Sequence, residues 1–353
     1  MRKMLTPGPV AIPDFVWDAI HQPVIPHRGE EFEEMYGKLL DGLRYFFQTS
    51  GQVASMNSTG TGAVESAMYS LFQAGEKVLI VDMGKFSNRW VQYGRTLGLH
   101  VSDLTYAWGS VPKVEDIMAE LETSPPKGII LTHCETSCGS VLDLEEIAFA
   151  IKEKYPEMLI VVDAITSVGA LPFYFDDWQI DCAICASQKS LMNPAGVAVF
   201  ALSELAIQHL RSTFPGDYQN LASYVLFAKD NSFPFTPPVN LLFGVKAALD
   251  WFQQRTLASV WNQTHHTADF FRTEIQKLGG TLLAEQPSDS LTAFYFEGKD
   301  HKKIKTSLSQ DYQIEISGGQ GTYKNKLLRV SHMGEVGKAD MELVLNALQE
   351  ILS

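Results

Sequence analysis

The sequence predicts an α/β protein with a mostly parallel central sheet, helices on both faces of that sheet, and a smaller C-terminal α+β domain. Three observations carry this prediction. Short apolar runs alternate with amphipathic stretches through the middle of the chain, the apolar runs are nearly continuous, and the pattern changes after about Phe214. Continuous apolar strands separated by helices are typical of a parallel sheet that is buried on both faces.

Strands and helices are predicted in strict alternation over much of residues 53–201. The strands are assigned to the apolar runs at 53–56, 78–81, 101–104, 128–132, 158–162, 180–186 and 196–201. The helices are assigned to the amphipathic stretches at 62–72, 86–97, 114–121 and 144–154. Short apolar runs suit buried strands, and apolar residues three or four positions apart suit helices that cover a sheet.

The C-terminal part of the sequence contains fewer and shorter elements. An irregular connection is expected first, where prolines and a glycine interrupt the pattern at Pro215, Gly216, Pro234, Pro237 and Pro238. After it come a long helical region at 241–277, strands at 291–296 and 327–331, and helices at 302–308 and 338–352. We therefore expect a large domain over residues 12–250 and a small domain over residues 251–353, to which the N-terminal segment 1–11 returns.

The composition and the charge of the chain exclude several classes of function. Of its 353 residues, 45% are hydrophobic and 20% are charged, which is typical of globular proteins. It has 28 Lys and Arg against 41 Asp and Glu, a net charge of −13, so neither nucleic acid nor a membrane surface is the expected partner. No apolar run approaches the roughly 18 residues of a membrane span. No apolar stretch follows the first residues either, so we expect a cytoplasmic location.

The cysteines and two adjacent histidines are weak candidates for a metal site. The cysteines are Cys134, Cys138, Cys182 and Cys185. They are too few for a disulfide framework in a chain of this length. Residues three apart on a strand point to opposite faces, which disfavours a zinc set and favours small buried side chains. His265 and His266 are neighbours on a predicted helix and point apart. We therefore expect no metal.

Residues 58–63, with the sequence STGTGA, follow a predicted strand and open a predicted helix. Free N–H groups and the helix dipole favour a phosphate at such a position, and small residues let the backbone approach it. A dinucleotide site is an alternative, because Asp82 ends the next strand about 20 residues further on. The third glycine of that fingerprint is absent, since position 65 is Glu. A plain tight turn is a further alternative.

Asp163 and Lys189 each follow an apolar strand, where ligands bind in an open α/β sheet. Taken alone, Asp163 could cap a helix and Lys189 could be solvated. Pyridoxal 5′-phosphate needs a phosphate cradle, a carboxylate at its pyridine nitrogen and a lysine that forms a Schiff base. Residues 58–63, Asp163 and Lys189 would supply these three groups, whereas an NAD enzyme requires neither the lysine nor a second aspartate.

A series of short motifs resembles, in the same order, the motifs of the class V branch of fold-type I pyridoxal-phosphate enzymes. The motifs are LTPGP (5–9), HRGEEF (27–32), TGT (59–61), GKFSNRW (84–90), HCETSCG (133–139), Asp163, SQK (187–189), TPP (236–238) and LRVSHMG (328–334). The similarity runs over nearly the whole chain and is greatest to the alanine–glyoxylate and serine–pyruvate aminotransferase group. It implies the type I transferase fold, pyridoxal 5′-phosphate as cofactor, small amino acids and 2-oxo acids as substrates, and a homodimer with shared active sites.

The resemblance also implies roles for matching residues in the chemistry. Lys189 would hold the cofactor as a Schiff base and move a proton between substrate and cofactor, and Asp163 would pair with the pyridine nitrogen. Arg329 would bind the substrate carboxylate, for which a guanidinium fork is suited. Arg28 and Gly8 are further candidates for substrate binding. Taken alone, Arg329 could be a surface ion-pair partner, and Arg28 could belong to a solvated turn.

Other candidates would surround the cofactor. Phe86 would stack on the ring, Ile165 would press on its other face, and Thr136 and Gln188 would lie near the ring oxygen. The phosphate would be bound by Thr59, Gly60 and Thr61, with Thr236 from a neighbouring subunit.

Two positions depart from the pattern of the family. Phe233 stands where relatives often carry a tyrosine that reaches the phosphate, so one phosphate contact is expected to be missing. Residues 193–196, Asn-Pro-Ala-Gly, stand where relatives read Pro-Pro-Gly, which changes the loop expected after the lysine. Neither position removes a group that the chemistry needs.

The expected activity is transfer of an amino group from alanine or serine to a 2-oxo acid such as glyoxylate or pyruvate, with ping-pong kinetics. Phosphoserine aminotransferase is the nearer alternative, because Arg28 would also suit a substrate phosphate. A lyase of the cysteine desulfurase type is less favoured, because it needs a cysteine on a mobile loop and all four cysteines lie between positions 134 and 185. A non-catalytic assembly subunit would have no need to keep Lys189, Asp163 and Arg329 together.

Overall fold

The computed structural model describes residues 2–212 and 217–353. Phe214, Pro215 and Gly216, which belong to the predicted irregular connection, lie outside the described residues. The helices are α1 (Asp14–Ile20), α2 (Glu30–Phe47), α3 (Gly60–Leu71), α4 (Lys85–Thr96), α5 (Val114–Thr123), α6 (Leu144–Lys154), α7 (Glu204–His209), α8 (Leu221–Ala228), α9 (Val239–Arg255), α10 (Leu257–Lys277), α11 (His301–Gln310) and α12 (Lys338–Leu352). The strands are β1 (Lys3–Met4), β2 (Gln52–Ser58), β3 (Lys77–Asp82), β4 (His100–Thr105), β5 (Gly128–Thr132), β6 (Cys134–Glu135), β7 (Ser140–Val141), β8 (Leu159–Asp163), β9 (Cys182–Ala186), β10 (Gly196–Leu202), β11 (Gly280–Leu282), β12 (Leu291–Phe296), β13 (Ile314–Glu315), β14 (Ser317–Gly318) and β15 (Leu328–Ser331).

Within the described residues, a seven-stranded sheet forms the centre of the fold, in the order β2-β10-β9-β8-β5-β3-β4. Strand β10 runs antiparallel to its neighbours β2 and β9. The remaining neighbours in this sheet pair in parallel. All strands of the sheet except β10 therefore point the same way, and their carboxyl ends meet at one edge. The predicted α/β fold with a mostly parallel sheet is confirmed.

The central strands are buried because their sequences are apolar on both sides. Every residue of β5, β8 and β9 is buried, which requires packing against both faces of the sheet. The apolar cluster around the sheet runs from Val16 to Trp261 and includes residues of α2, α3 and α9. The strands and helices predicted between residues 53 and 201 are present, with ends that differ by at most one or two residues.

A second sheet lies in the C-terminal part of the chain, in the order β11-β12-β15-β14, with antiparallel neighbours. It has its own apolar cluster, which includes Leu5 from the N-terminal segment together with Phe271 and Leu348. Strand β1 pairs in parallel with β13, with Lys3 opposite Ile314. The domain bounds of 12–250 and 251–353 stay predictions.

The helical regions differ from the prediction by one break and by four helices that the sequence does not predict, α1, α2, α7 and α8. The region 241–277 forms two helices, α9 and α10, which are separated at Thr256. This residue has a φ of 64°, which α-helical backbone cannot adopt, and its side chain accepts a hydrogen bond from the Ser259 N–H. Helices α1 and α2 were not predicted, although α2 buries apolar residues three or four positions apart, among them Phe32 and Tyr36.

The helices of the described residues include none that combines the length and the apolar composition needed to cross a bilayer. Helix α10 has 21 residues but carries Asp269, Arg272 and Glu274 along its length. The cytoplasmic location stays a prediction.

Candidate active site

A cavity of about 340 Å³ lies at the edge of the central sheet where the carboxyl ends of the parallel strands meet. The segments that follow β2, β3, β8 and β9 contribute to it, together with the N-terminal segment. Its lining residues are Gly8, Pro9, Thr59, Gly60, Thr61, Phe86, Arg89, Cys134, Thr136, Asp163, Ile165, Thr166, Gln188, Lys189 and Ala195. Most of the site residues predicted from sequence are brought together here; Arg28, Thr236 and Arg329 are not among the lining residues.

Helix α3 begins at the cavity, directly after β2. Thr59 is its N-cap residue, with an extended backbone and no capping hydrogen bond from its side chain. The N–H groups of the first turn have no acceptor within the helix, so they are available to an anion. Gly60 leaves room for Ile165, since a Cβ atom there would lie 2.8 Å from Ile165 Cδ1. The start of α3 therefore suits a phosphate group.

Asp82, on which the dinucleotide alternative depended, is engaged elsewhere. Its carboxylate accepts hydrogen bonds from Ser87 Oγ at 3.1 Å and from Asn88 Nδ2 at 2.6 Å. It is only 7% exposed and does not line the cavity. Asp82 thus organises the first turn of α4 and leaves no free carboxylate for a ribose.

Asp163 ends strand β8 and is 5% exposed. Its carboxylate accepts hydrogen bonds from Trp90 Nε1 at 3.1 Å and from the backbone N–H of Ile165 at 3.1 Å. Burial raises the pKa of Asp163 to about 6, although these two hydrogen bonds and the charge of Lys189 act in the opposite direction. The carboxylate has a fixed orientation and is mostly ionised at neutral pH, which suits a cationic partner such as a protonated ring nitrogen.

Lys189 follows β9 and is 9% exposed. Its Nζ atom donates a hydrogen bond to the carbonyl oxygen of Pro7 at 2.5 Å. Burial, followed by the positive charge of Arg329, lowers the pKa of Lys189 to about 8, against an opposite effect of the Asp163 carboxylate. About half of the amine is therefore neutral at pH 8, and the neutral amine is the form that attacks a carbonyl group.

Arg329 lies on β15 and is 4% exposed. Nη1 donates a hydrogen bond to the carbonyl oxygen of Thr136 at 2.8 Å, and Nε and Nη2 donate to the carbonyl oxygen of Gly318 at 3.1 and 2.9 Å. Burial lowers the pKa of Arg329 to about 10, although the Glu135 carboxylate acts in the opposite direction. Arg329 thus lies behind Thr136, where it lines a neighbouring cavity of about 590 Å³.

Arg28 and Thr236 lie outside the cavity, and both are exposed. Among the described residues, Arg28 has no ion-pair or hydrogen-bond partner. The carbonyl oxygen of Thr236 accepts a hydrogen bond from Asn57 Nδ2 at 2.7 Å. Because Thr236 is expected to act from a neighbouring subunit, and because the active sites are expected to be shared between subunits, both roles stay predictions.

The two departures from the family pattern have local explanations. Phe233 is 2% exposed and packs edge-on against Tyr36 and Tyr224, with ring centroids 5.8 and 5.5 Å away. In the loop after Lys189, the Asn193 side-chain amide donates a hydrogen bond to the carbonyl oxygen of Leu241 at 2.9 Å. Aromatic packing accounts for the first position, and a bond that ties the loop to α9 accounts for the second.

Glu135 is a residue of the site for which the sequence predicts no role. Its carboxylate is fully buried and accepts hydrogen bonds from the backbone N–H groups of Phe86, Ser87 and Ser137. The hydroxyl groups of Ser87 and Ser137 donate to it at 3.0 and 2.6 Å. Glu135 therefore caps helix α4 with a negative charge and fixes the position of Phe86. A single glutamate in a two-residue strand gives no periodic signal, and only the fold brings it to α4.

Arg89 is a second such residue. Its Nη1 atom donates a hydrogen bond to Thr61 Oγ1 at 2.7 Å, and its Cζ atom lies 5.2 Å from the centroid of the Phe86 ring. It lines the cavity, half-buried. It belongs to the GKFSNRW motif, but nothing in the sequence shows that its side chain reaches α3.

The cysteines are free thiols, and all four are buried, as expected. Cys134 lines the cavity and lies within 3.3 Å of the hydroxyl groups of Ser288 and Ser290. Burial raises the pKa of the Cys134 thiol, so it is protonated at neutral pH. Within residues 2–212 and 217–353, no group of three or more His, Cys, Asp or Glu side chains is placed to hold a metal ion.

The family model for class V aminotransferases matches residues 18–342. The chain belongs to this family. The class V aminotransferase is 32% identical over 356 residues to the small subunit of a soluble hydrogenase from Synechococcus sp. (strain PCC 6716), with 99% of this chain and 92% of the relative covered. It is 30% identical over 372 residues to a serine–glyoxylate aminotransferase from Methylorubrum extorquens, with the same coverage of 99% and 92%.

Solved structures give the class V aminotransferase the same fold over its whole length. An alanine–glyoxylate aminotransferase from Nostoc sp. superposes with a TM-score of 0.93 at 29% identity, over 100% of this chain and 95% of the other. A phosphoserine aminotransferase from Cytophaga hutchinsonii has a TM-score of 0.89 at 22% identity, over 99% and 98% of the chains, and at that level the likeness shows the fold alone. The resemblance noted in the sequence is confirmed, and the protein is a transaminase.

Membership of this family implies pyridoxal 5′-phosphate as the cofactor, and the described residues fit it. The first turn of α3 offers N–H groups for the phosphate, Asp163 offers a buried carboxylate for the ring nitrogen, and Lys189 offers an amine with a lowered pKa. Gln188 Oε1 is buried with no hydrogen-bond partner among the described residues. When bound, this cofactor supplies an electron sink for the electron pair left on the substrate α-carbon.

Proposed function

We propose that the protein moves the amino group of a small L-amino acid, alanine or serine, to a 2-oxo acid such as glyoxylate or pyruvate. The two substrates bind in turn at one site, so the kinetics are ping-pong. The names of the serine–glyoxylate and alanine–glyoxylate aminotransferases among its relatives support this choice of substrates.

The guanidinium group of Arg329 is the observation that carries this proposal. It is almost fully buried, yet its hydrogen-bond acceptors are backbone carbonyl groups, and among the described residues it has no carboxylate within ion-pair distance. A buried cation without a counter-ion is costly, and a bidentate carboxylate is the partner that this group prefers. The carboxylate shared by amino acids and 2-oxo acids would satisfy it next to Thr136.

The side chains of the cavity have different roles in the proposed reaction. Neutral Lys189 would take the proton from the substrate α-carbon on Nζ and pass it to the bound cofactor, and in the second half-reaction it would carry a proton in the opposite direction. Its pKa of about 8 lets the same atom accept and release a proton near neutral pH. Asp163, held by Trp90 and Ile165, keeps a negative charge opposite the ring nitrogen. The apolar walls formed by Phe86 and Ile165 exclude water.

The alternatives are less well supported. A lyase of the cysteine desulfurase type needs a thiolate on a mobile loop, but Cys134 is buried, protonated and bonded to serines of the C-terminal part. A non-catalytic assembly subunit is the alternative that the hydrogenase relative suggests. Such a subunit would not need a lysine with a lowered pKa, such as Lys189, near Asp163 and Arg329. Phosphoserine stays the nearer alternative substrate.

A panel of amino donors tests the proposal. Holoenzyme is mixed with alanine, serine, aspartate or phosphoserine without an acceptor, and loss of its visible absorbance and formation of the 2-oxo acid are followed. Alanine or serine should react fastest, with D-alanine as the inert control. Fast reaction with phosphoserine and none with alanine or serine would overturn the proposal.

We also propose a homodimer in which Thr236 and Arg28 act at the cavity of the partner. Both side chains are exposed, and neither lines the cavity of its own chain. Val24 and Leu226 are 69% and 55% exposed, and a partner subunit would cover such apolar side chains. Light scattering should give twice the monomer mass, and Val24→Glu with Leu226→Glu should give a monomer that binds the cofactor weakly. A monomeric wild-type protein with full cofactor affinity would contradict this arrangement.

A further inference from the structure

Arg89 joins two parts of the cavity that come from different helices. It lies on α4, whose first turn is held by the Glu135 carboxylate through the N–H groups of Phe86 and Ser87. Its Nη1 atom donates a hydrogen bond to Thr61 Oγ1 at 2.7 Å, in the first turn of α3. Its guanidinium group lies 5.2 Å from the centroid of the Phe86 ring. Arg89 is therefore fixed at the position where the start of α3 faces the cavity.

The charge of Arg89 is not balanced by a carboxylate of the described residues. Among the described residues no carboxylate forms an ion pair with it, whereas Arg95 on the same helix pairs with Asp103 at 2.5 Å. Arg89 is thus an unpaired, half-buried cation that lines a cavity in a chain with a net charge of −13. The free N–H groups at the start of α3 add roughly half a positive charge beside it. Two sources of positive potential thus meet at the Thr61 side of the cavity, where a dianionic group would be stabilised.

We propose that Arg89 binds the phosphate group of the cofactor together with the first turn of α3. This proposal rests on the cofactor assignment in the proposed function. The guanidinium fork offers further N–H donors beyond the one that Thr61 Oγ1 occupies, so it can contact the phosphate without giving up Thr61. A bound phosphate would supply the counter-charge that the described residues do not give to Arg89.

Comparison of two ligands measures the contribution of the phosphate group to binding. Apoenzyme is titrated with pyridoxal 5′-phosphate and with pyridoxal, which lacks the phosphate, and binding is read from the visible absorbance. The variants are Arg89→Gln, Arg89→Lys and, as a matched control on the same helix, Arg95→Gln. Arg89→Gln should weaken binding of the phosphate ester about tenfold, or about 1.4 kcal/mol, and leave pyridoxal affinity within about twofold of wild type. The affinity of Arg89→Lys for the phosphate ester should lie between those of wild type and Arg89→Gln. Arg95→Gln should match wild type for both ligands.

The other outcomes of this titration are equally decisive. Equal loss of affinity for both ligands in Arg89→Gln would overturn the proposal and assign Arg89 to positioning Phe86. Unchanged affinity for both ligands would overturn it as well. A wild-type apoenzyme that binds neither ligand would instead contradict the cofactor assignment on which the proposed function depends. Circular dichroism of each variant distinguishes loss of binding from loss of folding, and Arg89→Lys gives a second folded variant.

Discussion

The Nζ atom of Lys189 donates a hydrogen bond to the carbonyl oxygen of Pro7 at 2.5 Å, across 182 positions of sequence. Strand β1, just before Pro7, pairs with β13 in the C-terminal part, so the N-terminal segment runs from that part to the cavity. The amine that would carry the cofactor is thereby held by a segment anchored outside the central sheet. Gly8 makes this approach possible, because its φ is +131° and a Cβ atom there would lie 2.2 Å from Lys189 Nζ.

Replacement of Gly8 by alanine should push the Lys189 amine out of place. The added Cβ meets the end of a flexible side chain, so the lysine rather than the fold should yield. We expect at least a tenfold slower attachment of pyridoxal 5′-phosphate to the apoenzyme, followed by absorbance. Gly75→Ala is the control, since Gly75 also has a positive φ of 86° but has open space around it. Equal effects of the two variants would mean that backbone strain alone is responsible.

Replacement of Lys189 by alanine should abolish covalent attachment of the cofactor. No other amine among the described residues lines the cavity. Borohydride reduction of the wild-type holoenzyme followed by peptide mass spectrometry should place the cofactor on Lys189, and the variant should show no adduct. Lys85→Ala, an exposed position at the start of α4, is the control and should behave as wild type. An adduct on another lysine would remove Lys189 from its role.

The attachment reaction should depend on pH through Lys189. Its lowered pKa means that the neutral amine predominates above about pH 8, whereas an ordinary lysine reaches this state only above about 10.5. The rate of cofactor attachment to the apoenzyme should therefore rise about tenfold per pH unit below 8 and level off near that value. Arg329→Gln removes a positive charge that lowers this pKa, so the plateau should move to higher pH. A plateau near pH 10 in the wild type would contradict the assignment.

Replacement of Arg329 by alanine should weaken substrate binding more than cofactor binding. The substrate would lose its carboxylate partner, while Asp163 and the start of α3 stay intact. We expect kcat/KM for the amino donor to fall about 100-fold, through KM chiefly, because a charge-assisted bidentate contact is worth roughly 2–3 kcal/mol. Cofactor affinity, measured by absorbance, should change less than threefold. Unchanged donor kinetics would rule out the carboxylate role.

Replacement of Glu135 by glutamine should lower the free energy of unfolding and should also leave Phe86 less firmly held. A glutamine amide has one acceptor oxygen where the carboxylate has two. It therefore cannot satisfy all the N–H groups of Phe86, Ser87 and Ser137 that donate to Glu135. Unsatisfied buried donors cost about 1–3 kcal/mol each, so the free energy of unfolding should fall by about 2–4 kcal/mol. Cofactor affinity should fall as well, because Phe86 loses its support. Glu145→Gln, exposed in the first turn of α6, is the control for both denaturation and cofactor titration.

Much of the fold and the chemical groups of the site were determined by the sequence alone. The strands at 128–132 and 158–162 are predictable because a buried parallel strand is apolar at every position, and this pattern is local. Asp163 and Lys189 are predictable for a related reason, since each directly follows such a strand and parallel strands end at one edge. The order of the short motifs indicates the family, and the match of the family model over residues 18–342 confirms it.

Contacts between distant segments were decided only by the tertiary structure. The break at Thr256 depends on one backbone angle, and the pairing of β1 with β13 joins opposite ends of the chain. The buried carboxylate of Glu135 and the reach of Arg89 to Thr61 have no periodic signal, because each depends on how separate elements pack. The lowered pKa of Lys189 is of the same kind, because burial and the nearby Arg329 cause it. Sequence thus specifies which groups are present, and packing sets their distances, their charge state and their partners.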